Sequence, residues 1–185
     1  MDIIKSVYKG GVAMKTLVVF QSKTGFTQRY AQWIAEDLGC DAKFWKDVKA
    51  TDLAGYDVLI YGGPLMAGSI TGLKAFAQAA RKHTANLVVF ATGATPAQAE
   101  DGHKTVENNL KDMPGVRGFY FPGGMCYEKL GAVARAMMKM FCAMVKKQEG
   151  EDSPAYKMLQ SSYDLTDRGA IEPLVAYCAG LDTRR

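Results

Sequence analysis

Short apolar runs alternate with segments of helical spacing along most of the chain. Three of the runs are continuously apolar, namely residues 17–20, 58–61 and 87–90. Strands of a parallel sheet have this composition because helices cover both of their faces. Residues 42–45 and 118–121 are two further β-like runs. The pattern therefore predicts five short strands.

The segments between the strands carry apolar side chains at every third or fourth position, which is typical of helices that pack on one side. Thr95 and Pro96 begin a stretch with the spacing of a capping box, and Pro173 must lie in the first turn of the last helix. Strands that alternate with helices in a chain of this size predict a doubly wound α/β fold with helices on both faces. The segments with helical spacing are 26–38, 73–80, 106–110 and 171–178.

Composition favours one folded domain. The chain has 185 residues, of which 48% are hydrophobic and 23% charged, enough for a full apolar core. Residues 1–13 lack the apolar centre of a secretory signal, and Met14 directly precedes the first strand region. We expect 1–13 to be a tail or an added extension and 14–185 to be a single domain, with residues 148–153 as its most mobile loop.

Charge and cysteine content argue against several classes of protein. The net charge of +4 is too small to indicate nucleic-acid binding, and no apolar run reaches the ~18 residues of a membrane span. The four cysteines form no C-x-x-C pair and the chain has two histidines, so neither a zinc site nor a disulfide framework is expected. We expect a cytoplasmic protein with reduced thiols and no bound metal.

The loop after the first strand is the strongest chemical signal. Ser22, Lys23, Thr24, Gly25, Phe26 and Thr27 follow the strand and begin the first helix. Backbone N–H groups at a helix start attract anions, three hydroxyls can donate to phosphate oxygens, and glycine permits close approach. Neither a nucleotide P-loop nor a dinucleotide fingerprint is present. The alternative is a hydroxyl-rich helix start without a ligand.

This loop resembles the T/S-x-T-G-x-T loop of flavodoxins, which holds the phosphate of FMN. The resemblance covers roughly residues 15–181 and implies a five-stranded parallel sheet of order 2-1-3-4-5. Ligands of such sheets lie beyond the carboxyl ends of the strands. By that resemblance, two further loops would bracket the flavin ring, with Met66 against a face of the ring. These loops contain Pro64, Leu65, Met66, Ala67 and Gly68, and Thr92, Gly93 and Ala94.

The last third of the chain resembles the flavodoxin-like, menaquinone-dependent protoporphyrinogen oxidases. Shared features are a Gly-x-x-x-Tyr pattern that ends at Tyr127, a basic Met-rich helix after it, and a late helix start at Thr166 and Asp167. The sequence departs from that family at Met66 and Cys126, where arginines are usual. Because arginines would pair with porphyrin carboxylates, we expect the broader class and not that substrate. Tyr127 is expected to cover or stack on the ring.

The leading functional prediction is an FMN-dependent oxidoreductase that uses a small aromatic or quinone substrate. An electron carrier for a redox protein partner is the first alternative, although such carriers are typically acidic and this chain is basic. A ligand-binding module without redox chemistry is the second. No acid–base constellation includes His83 or His103, so no catalytic side chain is assigned, as is usual where a cofactor carries the chemistry.

The basic Met-rich segment from Leu130 to Lys147 has three interpretations. Its apolar stripe is most often core or lid packing. It can also be a peripheral contact with the inner membrane face, since basic amphipathic helices bind anionic lipid, or a homodimer contact, since methionines repack readily.

Overall fold

The computed structural model describes residues 14–83 and 86–182, so the expected tail at 1–13 lies outside the described residues. The strands are β1 (Thr16–Phe20), β2 (Asp41–Phe44), β3 (Val58–Met66), β4 (Ser69–Ile70), β5 (Asn86–Gly93), β6 (Arg117–Pro122), β7 (Gly124–Met125) and β8 (Tyr163–Asp164). The helices are α1 (Phe26–Leu38), α2 (Leu73–Ala80), α3 (Glu100–Leu110), α4 (Ala132–Glu149), α5 (Pro154–Met158) and α6 (Glu172–Asp182).

The five long strands form one parallel sheet in the order β2-β1-β3-β5-β6. Numbered among themselves, this is the predicted order 2-1-3-4-5, so the predicted flavodoxin-like doubly wound fold is confirmed. Two small strands extend the pattern: β4 pairs antiparallel with the end of β3, and β7 pairs antiparallel with β8.

Alternate residues of each central strand face two separate cores. In β1, Val18 belongs to the core beneath α1 and α6, whereas Val19 belongs to the core beneath α2 and α3. Both are fully buried, because a strand between two helical layers has no solvent face. This explains why the central strands are apolar at every position.

Tyr30 of α1 links three parts of the first core. Its buried hydroxyl donates to the carbonyl of Pro122 at 2.7 Å and accepts from the N–H of Asp167 at 3.0 Å. Its ring stacks on Phe121 with a centroid separation of 4.9 Å. Burial raises the pKa of this phenol to about 12, so Tyr30 stays neutral and joins α1, β6 and the turn before α6.

Two local predictions are wrong. Residues 62–66 were expected to form a loop but belong to β3. The glycine that suggested a loop, Gly62, is required by packing, since a Cβ at this position would lie 2.1 Å from Cζ of Phe90. The expected capping box at Thr95 does not begin a helix, since α3 starts at Glu100. The Thr95 hydroxyl instead lies 2.6 Å from that of Tyr120.

Helices α4 and α5 lie on a chain excursion between β7 and β8. Val145 is the one residue of α4 that is buried, so the apolar stripe does not pack in the core, and its role as a lid stays a prediction. The helix also runs to Glu149, into the segment 148–153 that was expected to be a loop. Among the described helices, none is long and apolar enough to cross a membrane.

Two of the four free cysteines are chemically shielded. Burial raises the pKa of Cys40 to about 11 and that of Cys178 to about 12. Because the thiolate is the reactive form, we expect iodoacetamide at pH 8 to alkylate Cys40 about a hundredfold and Cys178 about a thousandfold more slowly in the native protein than in the unfolded chain. Peptide mass spectrometry of native and urea-unfolded samples measures this. Labelling of Cys178 at the unfolded rate would contradict the packing beneath α6.

Candidate functional site

Three segments meet at the carboxyl edge of the sheet. The loop after β1 begins at Gln21, whose N–H donates to the carbonyl of Gly62 on β3 at 2.8 Å. Farther along β3, Pro64 is in register with Thr92 of β5. Parallel strands end on the same side, so the loops predicted to bind the phosphate and the ring are neighbours.

The loop between β1 and α1 turns tightly at Gly25. Its N–H donates to Oγ of Ser22 at 3.1 Å, and its backbone has φ +105°, which L side chains rarely adopt. No side chain caps the helix and its first turn contains no acid. The first N–H groups of α1 have no carbonyl one turn back to bond. Together with the half-buried Thr24 and the exposed Lys23, they present donors and positive charge to an anion.

A buried hydroxyl pair joins this helix start to β5. The hydroxyl of Thr27 lies 2.7 Å from that of Thr92, and both residues are buried. In such a pair one hydroxyl donates to the other, which leaves one proton free to donate elsewhere. Thr27 therefore positions the helix start against β5, in addition to its predicted role at phosphate.

Phe26 packs behind the loop. A Cβ on Gly123, the residue after β6, would lie 3.4 Å from Cβ of Phe26, so the two backbones approach closely. The N–H of Gly123 donates to the carbonyl of Gly93 at 2.7 Å. Phe26 and Gly93 thus hold the helix start, β5 and β6 together at the edge of the site.

Lys129 is a site residue that the sequence analysis missed. Its Nζ donates to the carbonyl of Thr24 at 3.0 Å and would lie 3.7 Å from a Cβ on Gly25. It comes from a short 3₁₀ turn more than a hundred residues away in sequence. The loop was expected to hold its anion with neutral donors, and the structure adds an ammonium group beside them.

The second predicted loop is the tip of a β-hairpin. Leu65 is half-buried and Met66 is 44% exposed at the end of β3, and Ala67 and Gly68 connect it to β4. Both connecting residues have positive φ, +47° and +77°, as in the two-residue turns that fit the twist of a hairpin. The exposed backbone of Ala67 and Gly68 therefore faces outward at the edge of the site.

Asn109 of α3 fixes this hairpin. Its Nδ2 donates to the carbonyl of Gly68 at 2.8 Å, and its Oδ1 accepts from the N–H of Ile70 at 3.0 Å. A second donation, to the carbonyl of Thr105 at 2.8 Å, orients the amide on its own helix. One side chain thus holds the turn of the hairpin and β4.

We expect the substitution Asn109→Ala to free the hairpin tip. Loss of its acceptor should speed hydrogen exchange of the Ile70 amide by about fivefold, since a hydrogen bond contributes about 1 kcal/mol. The exposed neighbour Asn108 provides the matched control Asn108→Ala. Residue-resolved exchange by NMR makes the comparison. Equal protection of Ile70 in both variants would mean that Asn109 does not fix the tip.

Tyr163 of β8 completes the third predicted loop. Its hydroxyl donates to the carbonyl of Ala94 at 2.9 Å, and burial followed by the nearby Tyr120 raises its pKa. The contact was missed because no sequence pattern connects a residue after α5 to the end of β5. It attaches β8 to the end of β5, beside the third predicted loop.

The hydrogen bonds of Tyr127 are made to segments other than this third loop. Its hydroxyl donates to the carbonyl of Leu159 and lies 3.7 Å from Sγ of Cys142. Its N–H donates to Oγ of Ser162 at 2.9 Å. Burial, followed by the contact with Cys142, raises its pKa to about 12. Tyr127 thus connects the turn that carries Lys129 to α4 and α5, and its contact with a flavin ring stays a prediction.

An open helix start, two neighbouring strand ends and a β-hairpin define a small α/β protein whose loops converge at the carboxyl edge of its sheet. The sequence matches the model of one such family, the Flavodoxin domain, over residues 17–152. The match covers most of the chain, and the protein belongs to this family. A comparison with curated proteins gave no significant match.

Several solved structures are similar to this chain at low identity. A flavodoxin from the domain Archaea is 17% identical with a TM-score of 0.43, over 60% of this chain and 85% of the other. A flavoprotein from Bacteroides uniformis is 18% identical with a TM-score of 0.42, over 69% and 99%. A flavodoxin, WrbA-like protein from Agrobacterium tumefaciens is 20% identical with a TM-score of 0.45, over 73% and 96%.

The residues at the sheet edge fit a bound phosphate ester. The loop offers donors from three sources, namely backbone N–H groups, the hydroxyls of Ser22 and Thr24, which can donate as well as accept, and the ammonium of Lys129. Gly25 leaves space where a side chain would stand. Among the described residues no group of three or more histidine, cysteine or acidic side chains could hold a metal ion, and the donor set is the one a phosphate requires.

Proposed function

We propose that the protein binds FMN and transfers electrons between an organic substrate and a quinone-type acceptor. The observation that carries the proposal is the bond between the Thr27 and Thr92 hydroxyls, 2.7 Å apart. It joins the phosphate-type loop to the end of β5, so one ligand can span an anion site and the neighbouring strand ends. FMN, when bound, supplies the electron transfer.

The chain's own residues would bind and orient this cofactor. The N–H groups at the start of α1, with Ser22, Thr24 and Lys129, would hold the phosphate. The strand end at Pro64, the hairpin tip and the segment from Thr92 to Ala94 would bracket the ring. Asn109 would hold the hairpin by its bond to the carbonyl of Gly68, and Tyr163 would hold the end of β5 by its bond to the carbonyl of Ala94. The two segments would then stay at a fixed separation.

Charge and site shape support an enzyme. The net charge of +4 differs from the acidic surface with which carriers dock on basic partners. The turn of the hairpin consists of the small residues Ala67 and Gly68, which leaves room for an organic substrate beside the ring. Menaquinone-dependent protoporphyrinogen oxidation is the narrower proposal, and it is weakened by Met66 and Cys126 at positions where arginine would hold porphyrin carboxylates.

An electron carrier is the second candidate. Met66 is 44% exposed at the tip of the hairpin, and an exposed apolar side chain beside a redox site suits contact with a protein partner. This role needs no substrate pocket.

The first experiment is an absorption spectrum of the purified protein and an FMN titration, followed by anaerobic photoreduction. A flavin spectrum with reduction in a single two-electron step, and turnover of quinones, supports the enzyme. Reduction in two separated one-electron steps without turnover of any small acceptor supports the carrier. Absence of binding at micromolar FMN would defeat both and leave a ligand-binding module without redox chemistry.

We expect the substitution Lys129→Gln to raise the Kd for FMN about threefold to tenfold, the range for one solvent-exposed ionic contact to phosphate. The salt dependence of binding should also fall, because one fewer cation faces the anion. The exposed Lys74 of α2 provides the control Lys74→Gln, which removes the same charge elsewhere. Isothermal titration calorimetry at two salt concentrations compares the Kd values of the two variants. An identical Kd for both variants would remove Lys129 from the phosphate site.

A further inference from the structure

The outward face of α4 exposes a continuous apolar stripe. Its members have the exposed fractions Val133 76%, Met137 60%, Met140 75%, Phe141 44% and Met144 47%. Steps of three and four residues place them along one side of the helix. With Met66 they are the exposed large hydrophobic side chains of the described chain, so this part of the surface differs from the rest.

The opposite side of α4 already has its packing partner. Val145 is buried and Met138 and Cys142 are half-buried on that side. Sγ of Cys142 lies 3.5 Å from the carbonyl of Leu159 after α5. The stripe is therefore not the face that attaches α4 to the protein, and no described residue covers it.

The charge of α4 is entirely positive up to its last residue. Arg135, Lys139, Lys146 and Lys147 lie on the helix, and Glu149 is its first acid. Arg135 donates to the carbonyls of Tyr127 and Leu130, and Lys146 pairs with Glu151. Within the described ranges, Lys139 and Lys147 have no ion-pair partner. Lys147 lies three residues after Met144, on the same side of the helix as the stripe, and Lys139 directly precedes Met140, about 100° around the helix from it.

We propose that α4 lies on an anionic lipid surface, with the stripe in the acyl boundary and Lys139 and Lys147 at the headgroups. Long lysine stems can follow apolar surface while the amine stays among phosphates. Amphipathic helices with apolar and basic sides bind anionic bilayers in this orientation. Because no described helix can span a bilayer, the contact is peripheral.

The charges favour lipid over a second copy of the chain. A second α4 would bring the same lysines and no acid before Glu149, so two stripes in contact would place like charges near each other. Standard protein interfaces also use about 20–30 residues on each side, and one helix face supplies far fewer. An anionic bilayer provides negative charge along the whole helix without any fixed register.

The test is co-sedimentation of the full chain with vesicles of phosphatidylcholine alone and of phosphatidylcholine with one quarter phosphatidylglycerol. We expect at least about tenfold stronger binding to the anionic vesicles, since two lysines contribute about fivefold each, and its loss at high salt. The double variant Met137→Gln/Met140→Gln should lower binding by about tenfold or more while its helical circular dichroism is retained.

Charge is tested with Lys139→Gln/Lys147→Gln, and Lys74→Gln/Lys111→Gln is the matched control at exposed positions elsewhere, on α2 and directly after α3. Only the first pair should weaken binding to anionic vesicles. Equal binding to both vesicle types, or no binding to either, would overturn the proposal. So would a concentration-dependent dimer in sedimentation velocity that Met137→Gln/Met140→Gln abolishes, since that assigns the stripe to a second copy. Vesicle binding is independent of the flavin titration, so the two proposals fail separately.

Discussion

Substitution of Gly25 by alanine is expected to raise the Kd for FMN about fivefold to thirtyfold. Gly25 has φ +105°, and an L residue held at such an angle is strained by about 1–2 kcal/mol. Without ligand, the alanine loop would relax to a negative φ and turn its N–H groups away. Binding would then have to restore the strained conformation, and the strain would appear in the Kd.

A matched glycine separates this effect from general destabilisation. Gly115 has φ +81° with no atom within 4 Å of an added Cβ, and it lies before β6, outside the three site segments. Gly115→Ala should lower the melting temperature about as much as Gly25→Ala does and leave the Kd for FMN unchanged. FMN titration and thermal unfolding of both variants make the comparison. If Gly25→Ala bound FMN as tightly as Gly115→Ala, the loop after β1 would not be the phosphate site.

Substitution of Tyr30 by phenylalanine is expected to lower the free energy of unfolding by about 2–4 kcal/mol. The ring would keep its contacts with Phe121, so the change isolates the hydroxyl. Its removal leaves the Pro122 carbonyl and the Asp167 N–H without the partner that Tyr30 provides. Each unsatisfied buried group costs about 1–3 kcal/mol, and the two losses together exceed the usual effect of removing one hydrogen bond.

Tyr56→Phe is the control, because the half-buried Tyr56 makes no hydroxyl hydrogen bond to another described residue. It should change the free energy of unfolding by less than about 0.5 kcal/mol. Urea unfolding of the two variants, with equal m-values, measures the difference. A loss below about 1 kcal/mol for Tyr30→Phe would show that water replaces the hydroxyl.

The sheet could be predicted from the sequence because burial on both faces leaves a continuous apolar run, as in 58–61. The end of β3 could not, since Gly62 and Pro64 resemble a loop. Glycine is present there because the Phe90 ring occupies the space of a side chain, and that requirement comes from a residue distant in sequence. Thr95 has the spacing of a helix cap, but the tertiary bond to Tyr120 prevails over the local pattern.

The candidate site was predictable where one short segment carries the chemistry. The loop from Ser22 to Thr27 is contiguous, so its hydroxyls and glycine indicate an anion site directly. Lys129 and Tyr163 each act on another segment by one hydrogen bond and Asn109 by two, and no spacing rule records such contacts. The stripe of α4 was visible as a pattern, yet periodicity cannot show which apolar side is covered and which is exposed.

The pairing of β7 with β8 has a topological consequence. Met125 and Tyr163 are direct antiparallel partners, so the excursion that carries α4 and α5 begins and ends at one point, shortly after β6. A two-residue turn between them would make an ordinary hairpin and would bypass α4, α5 and Lys129 while all five strands of the parallel sheet stayed in sequence. The segment between β7 and β8 is thus an insertion in the fold. It can lengthen, shrink or change its surface without altering the strand order of the parallel sheet.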